Sequence, residues 1–160
     1  MYLNTQRDRV VNKAADLAVP VSKDTRLKIS NWEQNLAAAI MAARDKPFIW
    51  GQHDCAIWTF DLRRALTDGP DHARLWRGKY KTALGAERMM RRLGWSSYEA
   101  GARALLGEPR AYPLLAQRGD LVLGAAPEAF GICLGAKVAF AGPKGLTFAP
   151  IATLRLAWEP

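Results

Sequence analysis

Histidine is nearly missing from this chain: His53 and His72 are its only two, and none follows position 72. Side-chain proton transfer runs most often through an imidazole, so the C-terminal half is poorly supplied for it. Cysteine is equally scarce. Cys55 and Cys133 alone do not make a disulfide framework. With no close Cys-x-x-Cys or His-x-x-x-His spacing, they give no zinc site either, and no cofactor motif accompanies them. No run of about 18 apolar residues is present to span a membrane, because Pro127 and Glu128 break the most apolar part, Leu121 to Leu134. The first residues have no apolar core behind their basic side chains, so no secretory signal is expected. Internal repeats and low-complexity segments are absent as well.

What remains is an ordinary globular composition. Of 160 residues, 49% are hydrophobic and 24% charged, enough for one domain with its own core. The net charge of +8 is unevenly placed. Residues 63–92 hold nine basic and three acidic side chains, whereas residues 119–160 hold three of each. A basic stretch attracts nucleic acid, anionic wall polymers or an acidic protein neighbour. Charge alone does not choose among them, and no nucleic-acid motif accompanies it, so nucleic acid is not the expected partner. Within this stretch Trp76 stands among Arg74, Arg77 and Lys79. Because Trp and Arg dominate interface hot spots, these four form the expected binding surface.

The chain divides by pattern. Residues 1–30 carry a weak helical period that Pro20 stops, and they read as a docking arm or extension ahead of a domain at 31–160. A helix starting at Ser30 or Asn31 places Trp32, Leu36, Ile40 and Ala43 on one face and ends before Pro47. A second, from about Asp54 to Leu66, puts Cys55, Trp58 and Leu62 on one side and ends at Asp68-Gly69-Pro70. Residues 71–81 are irregular. Further helices span about Ala83 to Leu93, with Met89 and Met90, and Tyr98 to Leu106. After Pro113 the period changes to that of strands, in five short runs near 120–123, 131–134, 137–140, 146–148 and 153–158. Helices first and strands second predicts an α+β fold, with N-terminal helices packed on a C-terminal antiparallel sheet.

The sharpest motif is Pro47-Phe48-Ile49-Trp50-Gly51-Gln52-His53-Asp54-Cys55. It sets a thiol on the first turn of a helix, where unpaired backbone N–H groups favour thiolate. Asp54 is placed to cap that helix, and Gly51 lets the chain turn beneath Trp50. In a cysteine peptidase such a thiolate attacks a carbonyl while a histidine carries the proton. The plainer reading makes Cys55 a small buried hydrophobe. Cys133, between Ile132 and Leu134, reads as core, and Asp120 as a turn or cap residue.

The string PFIWGQHDCAIWTFD, followed by RGDLVL and FGICLGAKVAF, resembles the NlpC-type papain-like cysteine peptidases that cut peptidoglycan cross-links. DGPDHARLWRGKYKT and the closing GPKGLTFAPIATLRLAW are similar to a phage-encoded offshoot of that superfamily found among tail genes. The likeness covers about residues 31–158. It implies a papain-like fold with Cys55 at the nucleophile position. It also implies that the oxyanion-binding tyrosine is replaced by Phe48, the catalytic histidine by Ala129, and the third polar group by Phe140 or Ala141. His53 is the nearest substitute base in sequence, although residues so close in a turn rarely meet in line; His72, in the basic loop, is the other.

On that resemblance the expected function is structural: a pseudo-peptidase of a phage tail tip or baseplate, made in the host cytoplasm, carried in the virion and docking on other tail-tip or hub proteins. The alternative is an active endopeptidase or amidase acting on peptidoglycan during genome entry, with Cys55 as nucleophile and His53 or His72 recruited. A small nucleic-acid-binding module, resting on charge alone, is the third reading.

Overall fold

The computed structural model describes residues 28–160. Most of the expected N-terminal arm therefore lies outside the described residues. Four helices come first: α1 (Trp32–Ala43), α2 (Cys55–Thr67), α3 (Ala83–Arg92) and α4 (Tyr98–Leu106). Five strands follow: β1 (Leu121–Gly124), β2 (Phe130–Cys133), β3 (Lys137–Gly142), β4 (Gly145–Pro150) and β5 (Leu154–Trp158). They form one antiparallel sheet in the order β4-β3-β2-β1-β5. The expected α+β architecture is what the chain adopts, helices against an antiparallel sheet.

Local chemistry explains where the helices begin. Asp54, Thr82 and Ser97 sit at the N-caps of α2, α3 and α4, and each side chain accepts the backbone N–H of the third residue on. Such caps contribute about 1 kcal/mol apiece. α2 stops at Asp68, in left-handed conformation with φ 53°, ahead of Gly69-Pro70. Residues 28–30 already belong to the domain, since the Ile29 N–H donates to the Leu66 carbonyl at 2.9 Å.

α2 is the centre of the molecule. It lies across β1, β2 and β3, with α1 on its other side. One might expect Cys55, Trp58 and Leu62 to share a single buried face. Instead α2 is buried nearly all round. Cys55, Ile57 and Phe60 join a cluster with Ala102, Leu105, Leu121, Phe130 and Trp158. Trp58, Leu62 and Leu66 join another with Leu36, Ala43, Ile132 and Ala139. A smaller cluster, Val122, Cys133, Val138 and Ala157, fills the sheet's other face. Cys133 is thus core, as its strand context predicts.

The start of the sheet is fastened by an ion pair. Asp120 has no exposure to solvent. Its carboxylate accepts Arg110 Nε at 2.6 Å, a second Arg110 nitrogen at 3.2 Å and the Gln117 N–H at 2.7 Å. The turn role expected of Asp120 is present, and Arg110 adds the compensating charge. The Arg110 N–H also donates to Ala157 at 2.7 Å, which ties residue 110 to β5. Removing one partner of a buried pair leaves the other charge uncompensated, a loss of about 3–5 kcal/mol. Arg110→Ala should therefore lower unfolding stability in urea by about 3 kcal/mol. Arg91→Ala, which breaks an exposed pair with Glu87, should cost under about 0.5 kcal/mol; equal losses would contradict this account.

Candidate functional site

The corner before α2 is built on Gly51, whose φ of 77° suits glycine and whose Cβ, if present, would lie 1.9 Å from the Tyr80 carbonyl oxygen. The Gly51 carbonyl accepts the Gly78 N–H at 2.8 Å. Asp54, 1% exposed, holds the corner from the other side. Its Oδ2 accepts the Gly51 N–H at 2.8 Å and the Tyr80 hydroxyl at 2.7 Å, and its Oδ1 accepts the Ile57 N–H at 2.9 Å. Aromatic edges close the surface above: Phe48 against Trp50 at 4.7 Å, and Trp50 against Tyr80 at 6.3 Å.

Cys55 follows on the first turn of α2, where the helix end was expected to favour thiolate. Burial outweighs it. The residue is only 6% exposed, and loss of solvation pushes its thiol up to about 11. Backbone N–H groups of Phe130 and Ala56 pull the other way, while the Asp54 charge pushes it up further. At neutral pH the sulfur is a thiol. The start of β2 lies directly against it, with Phe130 facing the sulfur and Ala129 packed on the same cluster.

Neither histidine meets this sulfur. His53 pairs its backbone with Ile49 across the turn, as a histidine bonding backbone at a turn would. Its ring lines a separate groove between α1 and α2 with Lys46, Gln52 and Trp58. Its Nε2 is buried with no hydrogen-bond partner, and burial, then the Lys46 charge, lowers its pKa. His72 lies on a 3-10 turn, His72–Leu75, edge-on to Phe60 at 6.0 Å. Burial, with Arg63 next, lowers it to about 4. Both rings are neutral at pH 7, and neither lines the cavity into which Cys55 faces.

That cavity is enclosed by the beginning of α2, the 72–80 segment, α3 and α4. Its walls include Trp50, Phe60, Trp76, Tyr80, Trp95 and Tyr98. Tyr80 and Tyr98 are polar groups of this wall that the sequence did not single out; their phenols are raised, first by burial, Tyr98 to about 12. Nothing in their sequence context distinguishes them from other aromatics. Among the described residues, no group of three or more His, Cys, Asp or Glu side chains is placed to hold a metal ion.

The expected binding surface around Trp76 requires correction. Trp76 is 5% exposed and packs edge-on to Phe60 at 5.2 Å and Trp95 at 5.9 Å. The 3-10 turn swings its indole inward, so it is a core residue and not a surface anchor. Arg77 is held by Asp61 and by Asp71 at 2.9 and 3.0 Å. Lys79 donates to the Leu75 carbonyl at 2.9 Å, and Arg74 is exposed. The four residues do not make one patch.

Residues 27–159 match the model of a domain of unknown function, DUF6950. The chain belongs to that family. No curated protein matches this DUF6950 chain, and no solved structure does. The DUF6950 match takes in the Cys55 corner, the cavity and the whole sheet.

Two measurements check this site. At pH 7.5 a thiol at about 11 holds some 300-fold less thiolate than a free cysteine near 8.5. Since a more basic thiolate is also the better nucleophile, iodoacetamide labelling of the Cys55 peptide, followed by mass spectrometry, should be at least about tenfold slower in native protein than in urea. Labelling at a free-thiol rate would overturn the assignment. For His72, a folded pKa below the unfolded 6.5 means that the unfolded chain binds more protons between those values. Its contribution is complete above pH 6.5 and is lost as pH falls toward about 4. His72→Leu should flatten the pH dependence of stability in that window; an unchanged slope would exclude His72 as its source.

Proposed function

We propose that this DUF6950 chain is a papain-like, NlpC-type pseudo-peptidase that serves as a structural component of a phage tail tip or baseplate, docking on the tail hub and carried in the virion. The observation that carries the reading is the state of Cys55: a thiol mounted as a nucleophile would be, yet buried, protonated and met by Phe130 at the start of β2, with Ala129 beside it. The start of β2 is where the resemblance puts the histidine, and alanine cannot take a proton. Loss of a general base alone costs roughly 10²–10⁴-fold in rate. Phe48, without a hydroxyl, stands where the resemblance expects an oxyanion donor, whose loss costs roughly 10²–10³-fold.

A docking role also suits the surface. Tyr112, Leu114 and Leu115 are 68%, 65% and 58% exposed within four positions, an apolar cluster of the kind that protein neighbours cover. Arg64, Arg77 and Arg91 of the basic stretch are paired with carboxylates, which lowers the charge free for nucleic acid. The peptidoglycan-cleaving alternative needs an ionisable thiol and a base, and the buried Cys55 environment favours neither.

Purified particles of the encoding virus should contain the protein at a fixed copy number by quantitative mass spectrometry, and Cys55→Ala particles should infect as wild type does. Detection only in the infected-cell lysate, or muropeptide release by wild type that Cys55→Ala abolishes, would sink the proposal.

A further inference from the structure

The outer side of α1 and α2 carries an apolar strip that the pseudo-peptidase reading does not use. On α1, Ala37, Ala38, Met41 and Ala42 are all exposed, Met41 by 77%. Between this flank and α2 runs an open groove of about 280 Å³, walled in part by Ala39, Ala42, Ala65 and Trp58. That is well above the roughly 150 Å³ that accepts a benzene ring. His53 lines the same groove; it is 5% exposed, and its buried Nε2 has no hydrogen-bond partner. A buried polar atom left unpaired costs about 1–3 kcal/mol, so the described residues leave this surface unfinished.

The groove continues toward the other end of α2. Asp61 and Ala65 also wall a second, charged stretch with Arg64, Asp68 and Arg77, and that stretch reaches Ile29. The Ile29 N–H is held by the Leu66 carbonyl, so residues 1–27 lead into the domain at the mouth of this groove. The 13 residues of α2 measure about 20 Å, a span that six or seven extended residues cover; residues 10–27 have length to spare. So short a tether holds a segment at an effective concentration on the order of millimolar, at which even a weak fit is occupied. The order of side chains matches as well. Lys23, Asp24 and Arg26, nearest the tether, carry both signs, as the charged stretch does. Val10, Val11, Ala14, Leu17 and Ala18 lie further along, apolar like the alanine-walled part.

We propose that the α1–α2 groove is the docking site of residues 10–27 of the same molecule. Residues 21–27 take the charged stretch, and residues 10–18 cover the alanine wall and bring a polar group to His53. This goes beyond the tail-tip reading and does not depend on it.

The test is amide hydrogen exchange on the full chain, resolved by peptide. In the wild type, amides of residues 10–18 should exchange at least about tenfold more slowly than in Leu17→Asp, which places a charge against the alanine wall. Ala65→Arg, at an exposed position of that wall, should block the groove and release the same amides to a similar extent. Leu17→Asp alters only the segment, so it reads the contact even if Ala65→Arg does not fold. Wild-type exchange at the unprotected rate, or protection that Leu17→Asp leaves intact, would overturn the proposal. So would protection lost on about a hundredfold dilution, which would put the segment in the groove of a second copy.

Discussion

Asp54 puts a carboxylate where water does not reach, and both of its oxygens are engaged. One holds the first turn of α2; the other ties the Gly51 corner to the Tyr80 hydroxyl. The Gly51 corner, the helix start and Tyr80, 26 residues further on, thus meet at one side chain. A buried charge of this kind is tolerated only when fully hydrogen-bonded, so the corner, the helix start and the 72–80 segment are constrained together. The cavity and the position of Cys55 both follow from that convergence.

The same convergence explains why the thiol is quiet. A helix N-terminus favours an anion when the anion keeps some solvent or a paired cation. Here the nearest fixed charge is the Asp54 carboxylate, and aromatic rings take the place of water. The partial charge of the helix end acts on Cys55, but desolvation outweighs it.

Much of the architecture was legible because short-range chemistry wrote it. The helix expected over Tyr98 to Leu106 is present, capped by Ser97, and the five strand runs between Gly and Pro all became strands. Asp54 declared itself as a cap. The misread region was 71–81, where no periodicity indicates which side chains turn inward. A tryptophan between arginines and a lysine looks like a surface anchor, yet at the end of the His72–Leu75 3-10 turn the adjacent Trp76 and Arg77 go to opposite environments. Tyr80 and Arg110 were missed for a related reason. Their importance lies in Asp54, 26 residues away, and Asp120, ten residues away, and no local pattern records such partners. The burial of α2 on both sides was readable only in part, since Ile57 and Phe60 are apolar but the second layer they meet arrives much later in the chain.

That second layer has a consequence for biosynthesis. α2 is translated early, but the surfaces that cover it include Leu121, Ile132, Ala139 and Trp158, made 50 to 100 residues afterwards. While the nascent chain is still on the ribosome, α1 is already made, but the face of this central helix that packs on the sheet lacks its partners. Stable folding has to wait until β5 has emerged and closed against β1, and during that interval the chain exposes the aromatic surface that chaperones recognise.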